Sequence, residues 1–177
     1  MKVSMKKIIL FVAVGLVSLS IIAWTYNKSK TFRSVQENIA SIPSFNLLLL
    51  DSTTVFNTNQ IALGRPILFL YFSPDCEHCQ VQTKSLLKNI RLLNNMQIYF
   101  FSPMPLSELK TFCNIYHLSN YKNIVVAKDL DYAFYRYYNA RSFPCIAIYD
   151  KQKKLVKLYR EEVNANQIAT ATLFNQP

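Results

Sequence analysis

The sequence predicts one α/β domain, a central mixed β-sheet flanked by helices, joined to an apolar N-terminal helix. Three observations carry that reading. Residues 66–72, PILFLYF, are continuously apolar and lie between Pro66 and Pro74, the pattern of a strand buried on both faces. Directly after them the apolar positions switch to helical spacing, and strand-like and helical segments alternate from there on. Ahead of all this, residues 8–27 form an uncharged run of the length a helix needs to cross a bilayer.

That run, IILFVAVGLVSLSIIAWTYN, follows the basic leader MKVSMKK. A cleaved signal peptide has an apolar region of ~7–15 residues closed by small side chains. Ser18-Leu19-Ser20 resembles such a site, yet the apolar run continues through Ile21, Ile22 and Ala23. Trp24 and Tyr26 suit the aromatic belt of a membrane interface, so residues 1–27 are read as an uncleaved single-pass signal anchor. Lys28, Lys30 and Arg33 balance the three leading lysines, and the positive-inside rule therefore sets no orientation. The short leader instead places the bulk of the chain on the extracytoplasmic side of an inner membrane. No lipid-attachment cysteine follows the run, since the first cysteine is Cys76. Residues 28–41 read as a linker and residues 42–177 as the folded domain.

At 177 residues the chain has room for one ordinary domain and an appendage. Half of it is apolar, enough to bury a sizeable core. With two glycines and neither GxGxxG nor GxxxxGK, nucleotide chemistry has no support. The net charge is +10, and without the leader 17 basic residues face 10 acidic ones. This surplus is scattered, whereas nucleic-acid binding needs a basic stripe, so no nucleic-acid partner is expected. The densest run, Lys151, Lys153, Lys154 and Lys157, reads as a solvated turn.

Along the domain, residues 45–50 and 54–57 form a predicted hairpin around Asp51-Ser52, ahead of the buried strand. Cys79, Thr83, Leu86, Leu87, Ile90 and Leu93 then recur at helical spacing, so a helix should begin at the cysteines. A strand over 96–101, a helix over 106–116, a strand over 123–127 and a helix over 129–138 follow. Residues 145–149 and 154–159 read as a second hairpin, and a helix near 166–174 closes the chain.

The chemistry is concentrated in Ser73-Pro74-Asp75-Cys76-Glu77-His78-Cys79-Gln80, between the buried strand and the helix. Two cysteines three positions apart on a first helical turn are able to close a disulfide. Free N–H groups and the positive end of the helix dipole there stabilise a thiolate on the first, Cys76. A protonated His78 would act in the same direction, Glu77 against it, and Asp75 is placed to cap the helix. Zinc sites share the CxxC spacing, but Cys113, His117 and Cys145 form no second pair, so redox chemistry is favoured and no metal is expected.

The run ILFLYFSPDCEHC before a helix, with YRYYNARSFPCIAIYD and a hairpin later, resembles the membrane-anchored, TlpA-like branch of the thioredoxin superfamily. Pro43-Ser-Phe-Asn-Leu resembles its opening strand, and the likeness covers about residues 42–175. It implies a thioredoxin fold with an N-terminal β-hairpin extension. Cys76 would be the attacking thiol, Cys79 the resolving thiol, and Pro144 a proline after a cis peptide bond. Phe143 would present its backbone to the substrate peptide, although Thr or Val is usual at that position. The implied activity is thiol-disulfide exchange with exported protein thiols and disulfides, more as a reductase than an oxidant, with a membrane electron donor re-reducing the pair. No cofactor is implied beyond the Cys76–Cys79 disulfide itself. Most thioredoxins bury an acid six positions before the first cysteine, and Leu70 stands there. The proton acceptor is therefore unassigned, water, a neighbouring side chain or a hidden carboxylate such as Glu77 being the candidates.

Rival readings rest on the same residues. A copper(I) metallochaperone on this fold would use Cys76, Cys79 and a histidine, although copper carriers of this kind usually place three residues between their cysteines. A peroxidase signature fails at Phe69 and Ser73, and a tethered binding module without catalysis is the third alternative. Cys145, Cys113 and the Tyr132, Phe134, Tyr135, Tyr137, Tyr138 cluster read as packing residues, and His117 as a helix-end histidine.

Overall fold

The computed structural model describes residue 15, residues 17–25 and residues 41–171. The chain divides into a unit ending at Asn38 and a unit beginning at Ile39. The described part of the first is helical, with Val17, Leu19, Ile21, Ile22 and Trp24 exposed. Among the described residues no helix is long and apolar enough to cross a membrane. Much of the predicted anchor, 1–27, and most of the linker, 28–41, lie outside the described residues.

The second unit is built on strands β1 (Asn46–Leu49), β2 (Val55–Asn57), β3 (Ile67–Tyr71), β4 (Gln97–Ser102), β5 (Ile124–Asp129), β6 (Cys145–Tyr149) and β7 (Leu155–Tyr159). Its longer helices are α1 (Glu77–Lys88), α2 (Leu106–Ile115), α3 (Ala133–Tyr138) and α4 (Ala165–Ala171). The strands form one sheet in the order β2-β1-β5-β4-β3-β6-β7. β3, β4 and β5 run parallel, and the pairs at either side are antiparallel, so the sheet is mixed as expected.

Every residue of β3 is buried, which is why its sequence shows no polar alternation. The alternation is instead between two kinds of core. Leu68, Leu70 and Phe72 face one side with Ile98, Phe100, Ile146 and Ile148, beneath Leu86 of α1, Leu109 and Phe112 of α2, and Ile168 of α4. Ile67, Phe69 and Tyr71 face the other with Tyr99, Phe101 and Tyr149, where Phe45 and the α3 residues Phe134 and Tyr138 close over them. Small residues on that face, Ala127 and Ala147, leave room for the rings. Phe69 sits at the centre, its ring 4.8 Å from Phe101 and 5.3 Å from Tyr149 between centroids.

Some element limits differ from expectation: α1 ends at Lys88, and Ile90 and Leu93 fall in a separate 3-10 turn. Asp129 ends β5 instead of opening a helix, and its carboxylate accepts from the N–H groups of Ala133 and Phe134 at 2.9 Å. A short acidic side chain at a strand end caps the next helix more readily than it enters one, so α3 begins only at Ala133. The aromatic cluster is also divided: Phe134 and Tyr138 are core residues, while Tyr132 and Tyr135 are exposed. Cys113 and Cys145 are buried, and His117 is an exposed residue just past α2.

Candidate active site

β3 delivers the chain to the site. The Phe72 N–H continues the parallel pairing to the Phe101 carbonyl at 3.0 Å, after which Ser73 and Pro74 turn it out of the sheet. Cys76, at φ −76° and ψ 115°, is the N-cap of α1, and its Sγ accepts from the Cys79 N–H at 3.4 Å. The sulfur thus satisfies one of the four N–H groups that a helix start leaves unpaired. This corrects the expected role of Asp75. One residue too early to cap, Asp75 uses its carboxylate to accept from the Ser73 hydroxyl. The Gln80 amide fastens the turn by donating to the Pro74 carbonyl at 3.0 Å.

The two thiols, both free, differ in surroundings. Cys79 is fully buried against the aliphatic core and Cys76 is half-buried. Burial pushes the Cys79 thiol far above the usual range, the hydrogen bond with Cys76 adds to this, and a backbone hydrogen bond from Ser73 partly offsets it. Cys79 is therefore protonated at neutral pH, and Cys76 is the more exposed of the two sulfurs.

The opposite wall comes from the segment between α3 and β6. Asn139, in the left-handed conformation that asparagine tolerates, ends α3. The Phe143–Pro144 peptide bond is cis. The Phe143 carbonyl accepts from Cys76 Sγ at 3.7 Å, so the cysteine pair and Pro144, 65 positions beyond Cys79 in sequence, share one site. The Phe143 ring packs on Tyr71 at 5.2 Å, and Tyr71 stacks in turn on Phe134 at 4.7 Å. An aromatic residue at 143 extends the aromatic core up to the site, which a Thr or Val could not do.

The remaining tuning residues are placed as follows. Glu77, the first residue of α1, is exposed and so is not a hidden carboxylate. His78 is also exposed, and its Nδ1 lies 2.5 Å from Glu162 Oε1, an ion pair when the ring is protonated. Sequence reasoning missed Glu162, as it did Arg160 and Glu161, which with His78, Phe143, Pro144 and Glu162 line a pocket of about 390 Å³. Leu70 is fully buried where an acid was looked for. The buried carboxylates, Asp129 and Asp150, are occupied with backbone N–H groups of their own turns. Among the described residues no three His, Cys, Asp or Glu side chains gather as a metal-binding set.

These elements, a mixed sheet with a CxxC at the head of a helix and a cis-proline facing it, define a thioredoxin-like fold. Solved structures agree. A secreted disulfide oxidoreductase of Mycobacterium tuberculosis homologous to E. coli DsbE superposes with a TM-score of 0.60 at 15% identity, over 76% of this chain and 96% of that one. DsbF of MTB, solved in mixed oxidized and reduced forms, gives 0.61 at 16% identity over 72% and 91%. A peroxiredoxin-like protein from Aquifex aeolicus gives 0.59 at 18% identity over 74% and 82%. No family model and no curated protein sequence matches the chain.

Proposed function

We propose that this protein is a thiol-disulfide oxidoreductase of the TlpA-like kind, with Cys76 as nucleophile and Cys79 as resolving thiol. The observation that carries the reading is the half-buried Cys76 sulfur, 3.7 Å from the Phe143 carbonyl before cis Pro144, with protonated Cys79 beneath it. The Cys76 thiolate attacks one sulfur of a substrate disulfide, forming a mixed disulfide and releasing the other sulfur as a thiolate. That departing thiolate is a base for the Cys79 proton, so no buried carboxylate is required at position 70. Cys79 then attacks Cys76, releasing the second substrate thiol and leaving the Cys76–Cys79 disulfide, with two electrons passed to the substrate. The Phe143 backbone holds the substrate chain beside Cys76.

In this proposal residues 8–27 anchor the protein in the inner membrane and the domain works on exported proteins outside the cytoplasm. It acts as a reductase, and a membrane-side dithiol donor restores the pair. The apolar run and basic leader support this placement. Insulin reduction by the full chain tests the activity. Cys79→Ser should accumulate mixed disulfides with envelope proteins and Cys76→Ser few. The reverse pattern would exchange the two roles, and tight copper(I) binding without exchange would overturn the proposal.

A further inference from the structure

The connection between β7 and α4, residues 160–164, touches both halves of the site. On the cis-proline side, Arg160 Nη2 donates to the Tyr138 carbonyl at 2.9 Å, and the Ser142 hydroxyl donates to the Arg160 carbonyl at 3.3 Å. On the cysteine side, His78 meets Glu162 at 2.5 Å. One helical turn further along α1, the Gln82 side chain donates from Nε2 to the Val163 carbonyl at 3.0 Å and accepts at Oε1 from the Val163 N–H at 2.7 Å. His78 and Gln82 are four positions apart and so lie on one face of α1, where they hold successive residues of the connection.

Gln82 is 1% exposed. A primary amide at such a position is tolerated only with its polar atoms paired, and here they pair with the buried Val163 N–H and carbonyl, which an apolar side chain of the same length would leave without these partners. What the amide adds is a fixed place for Val163, and with it for the residues just before. Those residues, Arg160, Glu161 and Glu162, form a pocket with His78, Pro144 and Phe143, the residue whose carbonyl accepts from Cys76 Sγ at 3.7 Å.

We infer that Gln82 is a positioning residue of the redox site: through Val163 it holds the 160–163 connection as the wall against which a protein substrate lies beside Phe143. The inference rests on the oxidoreductase reading. It assigns Gln82 no contact with the reacting sulfurs. Loss of the amide should therefore weaken protein substrates more than small disulfides, which need only Cys76.

The test compares the full chain with its Gln82→Met variant on insulin and on a small aromatic disulfide, dithionitrobenzoate. With both hydrogen bonds to Val163 lost from the wall, KM for insulin should rise about tenfold or more, and the ratio of insulin kcat/KM to the small-disulfide rate should fall by a similar factor. An unchanged ratio together with a lower thermal midpoint would overturn the inference and leave Gln82 a packing residue. Glu162→Ala, on the surface, should raise the insulin KM about threefold through the same connection. In the double variant the second substitution should add less than it does alone, because the wall is already released. Fully independent effects would count against a shared wall. Should Gln82→Met fail to fold, an unchanged insulin KM in Glu162→Ala overturns the inference by itself. Wild-type protein that reduces no insulin overturns the oxidoreductase reading and the inference with it, whereas wild-type activity with an unaltered Gln82→Met ratio overturns the inference alone.

Discussion

The contact between His78 and Glu162 changes what His78 should do to the redox potential. A protonated histidine in the first turn of α1 favours the thiolate, stabilises the reduced pair and makes the disulfide more oxidising. Were His78 unpaired, a contact of ~1–2 kcal/mol would shift the potential by some tens of millivolts. In the structure its Nδ1 lies 2.5 Å from a carboxylate, and the two side chains are 75% and 35% exposed. Interactions between solvent-exposed charges are worth ~0.2–1 kcal/mol, which bounds what the exposed, Glu162-paired His78 adds to the Cys76 thiolate. Since ~30 mV corresponds to ~1.4 kcal/mol in a two-electron couple, His78→Ala should make the pair more reducing by only about 5–20 mV. Glu162→Gln removes the compensating charge and should make it more oxidising by a similar amount, and in that background His78→Ala should have its larger effect. The wild-type pair should lie between about −270 mV and about −120 mV, the values of thioredoxin and of the strong periplasmic oxidant. Equilibration against glutathione buffers at pH 6 to 7, at low and high salt, measures all four proteins. A His78→Ala shift that is identical with and without Glu162, or a more reducing Glu162→Gln variant, would refute this reasoning.

Three further outcomes are expected. Burial pushes the Cys145 thiol up from 9.0 to about 11, so the folded state keeps a proton that the unfolded chain loses. That contribution is complete below pH 9 and disappears as pH rises to about 11, a loss of up to ~2–3 kcal/mol, and urea unfolding across this range should show a shallower decline in Cys145→Ala. Phe69→Ala, at the centre of the aromatic face, should lose ~3–5 kcal/mol in the same assay, and a loss below ~1 kcal/mol would contradict the packing described. An alkaline phosphatase fused after Pro177 should be active in a bacterial host, and an inactive phosphatase with an active cytoplasmic reporter would overturn the proposed placement.

Features of the fold that depend on local pattern were legible in the sequence. The apolar run 66–72 became β3 and the helical spacing from Cys79 became α1, while the cis bond before Pro144 was implied by the family resemblance and not by local pattern. Sequence could not tell which core each β3 side chain would enter, because a strand buried on both faces has no polar residue to mark its alternation. It misplaced the helix cap, because a sulfur is not the side chain one looks for where Asp75 is available one residue earlier. Glu162 and Gln82 were missed for a different reason. Their partners lie 84 and 81 positions away, and nothing in either neighbourhood signals the other. The one usable hint was an acidic pair, Glu161-Glu162, just after the hairpin that follows Pro144.

The N-terminal hairpin bears on how the domain is to be dissected. β1 pairs antiparallel along β5, Leu47 opposite Asp129 and Leu49 opposite Ala127, and so covers a parallel strand that would otherwise be a border. β5 reads IVVAKD, with high β-propensity and its two charges confined to one end. A fragment cut at Arg65 to isolate the cysteine-bearing half would leave that strand with a row of unpaired N–H and C=O groups, a template for another copy of itself. Residues 46–57 thus serve the protein as a shield against its own kind, and a shortened version lacking them would report aggregation where one hoped to measure catalysis.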